Sequence, residues 1–318
     1  MPADPSALRR LIPSLVPLAL SVPVVAFAGH DAVHTRQVNR DDGTAETRLV
    51  AEEIDGDGRL TAASLLNSLG AELGHDAQLK SVQESWRHAT AVSDGTAVLM
   101  AGDLEVVTAA VGNSASVTID GAGSIVSEQS THWGRIRSTT SVVAGDIAGD
   151  LSATSASIAN SLTAALDGDT DLHNSQAFQW GSESRLAVEA EGLAGDVDLT
   201  SAALGNSASL DVGEADRIAV HSIQQAAYDP SAFMVLSALG VGGHVAATTA
   251  ALANSLGIAT GGQERTLRLR TLQRNQALTQ AHGTLAVGSV SGSVTATAAA
   301  IGNSVSVTTG TPYSQGRD

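Results

Sequence analysis

The chain has 318 residues, a net charge of −16 and 43% apolar residues, yet only 3% aromatics and no cysteine. That apolar share is too high for a disordered acidic chain, and the acidity disfavours a phosphate backbone, so no nucleic-acid partner is expected. The missing cysteines exclude disulfides, thiolate metal sites and thiol nucleophiles, and the shortage of aromatics speaks against one large enzyme-type core.

Residues 1–28 have the layout of a secretory signal peptide. Arg9 and Arg10 precede an uncharged run from Leu11 to Val25, and Ala26-Phe27-Ala28 is a small-x-small cleavage site. The competing reading is a membrane anchor. Pro13, Pro17 and Pro23 interrupt the run, and it falls short of the roughly 20 residues a spanning helix needs. The mature protein is therefore expected to be exported, by a route the sequence leaves open, and residues 29–50 form an N-terminal lead-in.

From residue 51 to about 310 the chain repeats. Asn-Ser recurs at Asn67, Asn113, Asn160, Asn206, Asn254 and Asn303, at intervals of 46, 47, 46, 48 and 49 residues; a further Asn-Ser at Asn174 is off register. Eleven residues before each stands a glycine: Gly56, Gly102, Gly149, Gly195, Gly243 and Gly292. Alanine stands four before in every copy, an aliphatic residue two before, and Thr six before except at Val107. Aliphatic or Ala residues also occupy plus two and plus four.

Alternate positions that keep their character are the mark of a strand, and Val, Ile and Thr suit a pleated surface. Ala favours helix, but apolar residues at i, i+2 and i+4 would lie on several sides of one. Each copy is thus expected to hold a strand of about ten residues, opened by the Gly turn. The Asn shares the parity of the apolar positions and should point inward. A lone buried amide costs about 1–3 kcal/mol, whereas stacked copies can bond to each other as amide ladders do. Asn-Ser as a turn or bulge is the other reading, favoured where Gly112, Gly205 or Gly302 precedes it.

A second line of aliphatic, x, Ser/Thr/Asn, x, Gln ends at Gln83, Gln129, Gln176, Gln224 and Gln273, again with amides available to stack. Trp86, Trp133, Phe178, Trp180 and Tyr228 gather just beyond it, and the sixth copy stops short of it. The fold class expected is all-β: a repetitive β-solenoid (β-helix) of about five and a half 46–49-residue repeats. Each repeat would give one large or two small coils, and residues 311–318 are a C-terminal tail.

No catalytic, cofactor or metal site is expected. Asp55-Gly56-Asp57-Gly58 imitates part of a calcium loop but has Ser64 where the bidentate Glu belongs. Asp167-Gly168-Asp169-Thr170-Asp171 reads as a solvated turn. The nine His fall in no metal-binding spacing. Asp103, Asp150 and Asp196 could imitate the stacked carboxylates of a polysaccharide-cleaving solenoid, but polar turn residues are the simpler reading. Arg265, Arg268, Arg270 and Arg274 make the one basic stretch, the last three on one face.

An acidic, cysteine-free chain of Ala, Ser, Thr and Gly repeats, with Gly turns and Asn-Ser and Gln lines over about residues 50–310, resembles bacterial surface proteins of the curli type. In particular it is similar to the holdfast anchoring protein D family. The resemblance implies export through a curli-like outer-membrane secretion pore and co-assembly with other holdfast-anchor proteins. It also implies attachment of an adhesive surface polysaccharide (the holdfast) to the outer membrane. A cell-surface structural protein, with a homo-oligomer among its assemblies, is the expectation. A solenoid polysaccharide lyase or hydrolase, and a phage or autotransporter-type adhesin passenger, are the alternatives.

Overall fold

The computed structural model describes residues 23–25, 32–74, 77–213, 215–261 and 266–309. Strand β1 (Pro23–Val25) comes first, and six triplets follow. The first is β2 (Ala32–Asn39), β3 (Gly43–Ile54) and β4 (Gly58–Leu73); the second β5 (Ala77–Ser85), β6 (Ala89–Met100) and β7 (Leu104–Ile119). The third is β8 (Gly123–Thr131), β9 (Ile136–Ile147) and β10 (Leu151–Leu166). The fourth is β11 (Thr170–Phe178), β12 (Ser182–Leu193) and β13 (Val197–Val212). The fifth is β14 (Arg217–Ala226), β15 (Pro230–Val241) and β16 (Val245–Thr260), and the sixth β17 (Thr266–Asn275), β18 (Gln280–Val290) and β19 (Val294–Thr309).

Each triplet is one turn of a β-solenoid. The first strands form a short sheet in the order β17-β14-β11-β8-β5-β2, the second a middle sheet from β18 to β3, and the third a long sheet from β19 to β4, edged by β1. Neighbours run parallel in repeat register, as in Asn160 opposite Asn206. Each repeat is therefore one large coil. Parallel pairing results from the one-directional winding, and it places equivalent residues of successive repeats about 4.8 Å apart.

The lead-in drawn at residues 29–50 is corrected: β2 and the start of β3 lie inside it and complete the first coil. Registration on asparagine begins at Asn67, in the third strand of that coil, and so misses the two strands ahead of it. Of residues 1–28, expected to be a signal peptide, only β1 is described, paired parallel with Gly70–Glu72. Its Arg pair and cleavage site, Arg265 and the tail at 311–318 lie outside the described residues.

The interior is aliphatic and has two lobes. The first halves of the long strands pack on the middle sheet, with Leu151, Leu199, Leu186 and Leu236 in one cluster. Their second halves pack on the short sheet, with Leu162, Leu210, Leu172 and Ile218 in another. Between them sit Ile136, Phe178 and small alanines such as Ala159 and Ala253. The interior is filled by Ala, Val and Leu stacked on their own copies, and each buried Val or Leu side chain contributes about 1.5–3 kcal/mol.

The long strands run for 16 residues, not ten, and their parity changes midway. In β10, Leu151, Ala153, Ser155 and Ser157 point inward before the change, and Asn160, Leu162 and Ala164 after it. Pairing skips the residue before each Asn, Ala159 and Gly205 for example, which is the signature of a stacked bulge. One extra residue exchanges the two faces. The single inward face expected from minus six to plus four is thus corrected: Ala156, four residues before Asn160, lies on the opposite face of the strand, covered between its copies Ala109 and Ala202.

Candidate functional site

The structure places the six asparagines in one column through the middle of the long sheet. Asn67 Nδ2 donates to Asn113 Oδ1 at 2.7 Å, and Asn113 to Asn160, Asn160 to Asn206 and Asn206 to Asn254 at 2.8 Å. Asn254 completes the series, donating to Asn303 at 2.7 Å. The second amide hydrogen goes to the backbone. Asn113 donates to Ser130 O and Asn206 to Gln225 O, both at 2.9 Å, each acceptor being the residue after a glutamine of the next coil. Asn113, Asn160, Asn206 and Asn254 are wholly buried.

The glutamines form a second column on the short sheet, with the opposite polarity. Gln273 Nε2 donates to Gln224 Oε1 at 2.7 Å, Gln224 to Gln176 at 2.7 Å, and Gln176 to Gln129 and Gln129 to Gln83 at 2.8 Å. Gln83 in turn donates at 2.7 Å to Gln37, a member that registration on asparagine missed. Val33-Thr35-Gln37 carries the same motif and was the signal available in the sequence. Each glutamine also donates to the carbonyl of the serine after the Asn of its own coil, as Gln176 does to Ser207 O at 2.8 Å. These backbone acceptors fix which end of every amide is nitrogen. One ladder therefore donates toward the C-terminal coils and the other toward the N-terminal coils.

The turn glycines stack at the corner between the middle and long sheets. None has a positive φ; among the described residues that conformation belongs to Gly121 and Gly168. Close approach is what demands glycine. A Cβ at Gly195 would lie 2.4 Å from Asp150 Oδ1 and 2.5 Å from Gly149 O, and Gly102, Gly149, Gly243 and Gly292 meet the coil below in the same way. Gly56, in the first coil, has nothing within 4 Å.

The aspartates after these glycines tie coils together. Asp57 accepts from Asp103 N at 3.0 Å, while Asp103 accepts from Asp150 N, Asp150 from Asp196 N and Asp196 from His244 N at 2.8 Å. His244 Nδ1 continues the series, accepting from Ser293 N at 2.9 Å. Carboxylates spaced one coil apart and committed to backbone amides are turn fasteners. Asp169 does the same for Asp216 N and Arg217 N. Among the described residues no three His, Asp or Glu are grouped to hold a metal. Loss of surrounding water raises the Asp198 carboxyl above its ordinary range; it stands on β13 between Ser152 and Ala246, outside these columns.

The aromatics divide. Phe178 is wholly buried, while Trp133 is 68% and Tyr228 48% exposed. Trp133, Trp180 and Tyr228 each stand two residues past a short strand, in three consecutive coils. Their ring centroids are 5.9 Å and 5.0 Å apart, and Trp86 stacks on His132 at 4.0 Å beside them. Trp133, Trp180 and Tyr228 line a cavity of about 350 Å³ together with Arg274 and Gln276. Arg268, Arg270 and Arg274 share the outer face of β17.

No curated protein and no solved structure matches the chain. The model of the family described as HfaD, holdfast attachment protein D, matches residues 145–318, more than half of the sequence and four of its six asparagine positions. On that match the chain belongs to the holdfast attachment protein D family.

Proposed function

We propose that the protein is an exported, non-enzymatic structural component of the cell surface that fixes an adhesive polysaccharide, the holdfast, to the outer membrane. Its partners are the polysaccharide, other holdfast-anchor proteins, an outer-membrane secretion pore and further copies of itself. The observation that carries this reading is the family match over residues 145–318. The physics of the stack supports it. A tether must resist force, and here both amide columns, a turn fastener (an aspartate at four boundaries, His244 at the fifth) and three parallel ladders cross every coil boundary, so pulling coils apart breaks many bonds at once. The polarity of the columns supports the self-association: the first coil offers the Gln37 amide hydrogen and the Asn67 oxygen, and the last the Gln273 oxygen and the Asn303 amide.

Deleting the gene and scoring attachment to glass tests it. Cells lacking the protein should shed polysaccharide into the medium and lose adhesion. Undiminished attachment, with no polysaccharide released, would rule the anchoring role out.

A further inference from the structure

We propose that the edge between the short and middle sheets is a glycan-binding site, in which Trp133, Trp180 and Tyr228 form a platform for successive pyranose rings. The proposal rests on the polysaccharide-anchoring reading above and assigns it a place on the molecule.

Exposure sets these rings apart. The chain spends few aromatics, and it leaves Trp133 and Tyr228 in solvent while Phe178, at the end of the adjoining strand, fills the interior. With the half-buried Trp180 between Trp133 and Tyr228, the rings of three consecutive coils make a continuous apolar strip, and such strips on protein surfaces mark interaction sites. The pitch of the rings fits a sugar chain. The rings climb by one strand spacing per coil, and their centroids are 5.9 Å and 5.0 Å apart. A pyranose polymer advances one ring over a similar length. The flat C–H face of each sugar then meets the electron-rich face of an aromatic ring.

The chemistry of the walls agrees. At about 350 Å³ the cavity falls in the usual range of ligand sites, about 300–1,000 Å³. Among the described residues no carboxylate lines it, in a chain with 33 acids against 17 bases. Gln225 and Gln276 supply amides of the kind that pair with sugar hydroxyls, Arg274 adds a guanidinium, and Gln179 is held in place against His132 at 3.1 Å. The edge therefore suits a hydroxyl-rich chain that is neutral or carries occasional carboxylates.

The test is retention of the purified full-length protein on beads carrying purified holdfast polysaccharide. The wild type should be retained, and the polysaccharide should quench its tryptophan emission. Trp133→Ala should reduce retention several-fold and the Trp133→Ala/Trp180→Ala pair at least tenfold, with Trp180→Phe close to wild type. Because Trp180 is half-buried, melting is followed in parallel. Trp133→Ala, at the most exposed ring, should melt with the wild type and so reports binding alone. Retention of the wild type with equal retention of Trp133→Ala and the pair would overturn the aromatic site and leave the anchoring reading standing. Failure of the wild type to be retained would overturn both.

Discussion

At the scale of the residue, the account turns on amides that are polar, buried and fully used. Asn206 donates to Asn254 and to Gln225 O and accepts from Asn160. Asn206→Leu removes all three bonds and strands partners on both sides, at about 1–3 kcal/mol for each buried group left unpaired. Its neighbour Ser207 serves the glutamine column through its backbone carbonyl, which Ser207→Ala retains. Urea denaturation of the two variants should show a loss of several kcal/mol for the first and at most about 0.5 kcal/mol for the second. Small and equal shifts would contradict an inward asparagine. The glycines give a second matched pair. Gly195→Ala drives a methyl into Asp150 and Gly149 and should cost about 1–3 kcal/mol, whereas Gly56→Ala meets nothing and should be neutral within about 0.5 kcal/mol by the same assay. The column was legible in sequence because six identical asparagines recur. Gln37 is marked only by its own Val33-Thr35-Gln37 motif, because no asparagine precedes it to set the register.

At the scale of the element, the strands are long and bent where the sequence suggested short and straight. Period-two patterning located every long strand. It could not show the change of face, since Ala serves equally well on both sides of a bulge and leaves no mark when parity flips. The aromatic edge was visible only as a cluster; which ring turns inward depends on whether it stands inside the strand end or two residues beyond. That difference is measurable by thermal melting. Phe178→Ala empties a wholly buried site and should cost about 3–5 kcal/mol, while Trp133→Ala, 68% exposed, should leave stability within about 0.5 kcal/mol of wild type. Comparable losses for both would mean that the outer rings are part of the core.

At the scale of the molecule, six coils repeat the asparagine, glutamine and aliphatic columns, and the first four carry the turn aspartate, which His244 and Ser293 replace in the last two. Stability is then close to a sum of nearest-neighbour interfaces, and the ends differ from the middle because they have one neighbour fewer. The sixth coil shows it, with Val305 and Val307 exposed on β19 where their counterparts Ala208, Leu162, Leu210 and Ala164 in central coils are buried. The repeat length, the fold class and five of the six glutamine positions could be read from the chain. Registration on asparagine gives about five and a half repeats, and β2 and β3 ahead of Asn67 bring the described coils to six.

The central claim is that each repeat lies directly over the last, in register. The chain has no cysteine, so a disulfide can be placed at will. Thr163 and Ser209 are exposed partners on adjacent long strands, and Gly257 lies one coil further on. Adjacent strands at about 4.8 Å fall within the span a disulfide can bridge, and two coils do not. Mild oxidation of Thr163→Cys/Ser209→Cys should close an intramolecular bond, seen as a mobility shift reversed by reductant, and Thr163→Cys/Gly257→Cys should stay reduced. A free first pair, or a bridged second pair, would contradict the stack.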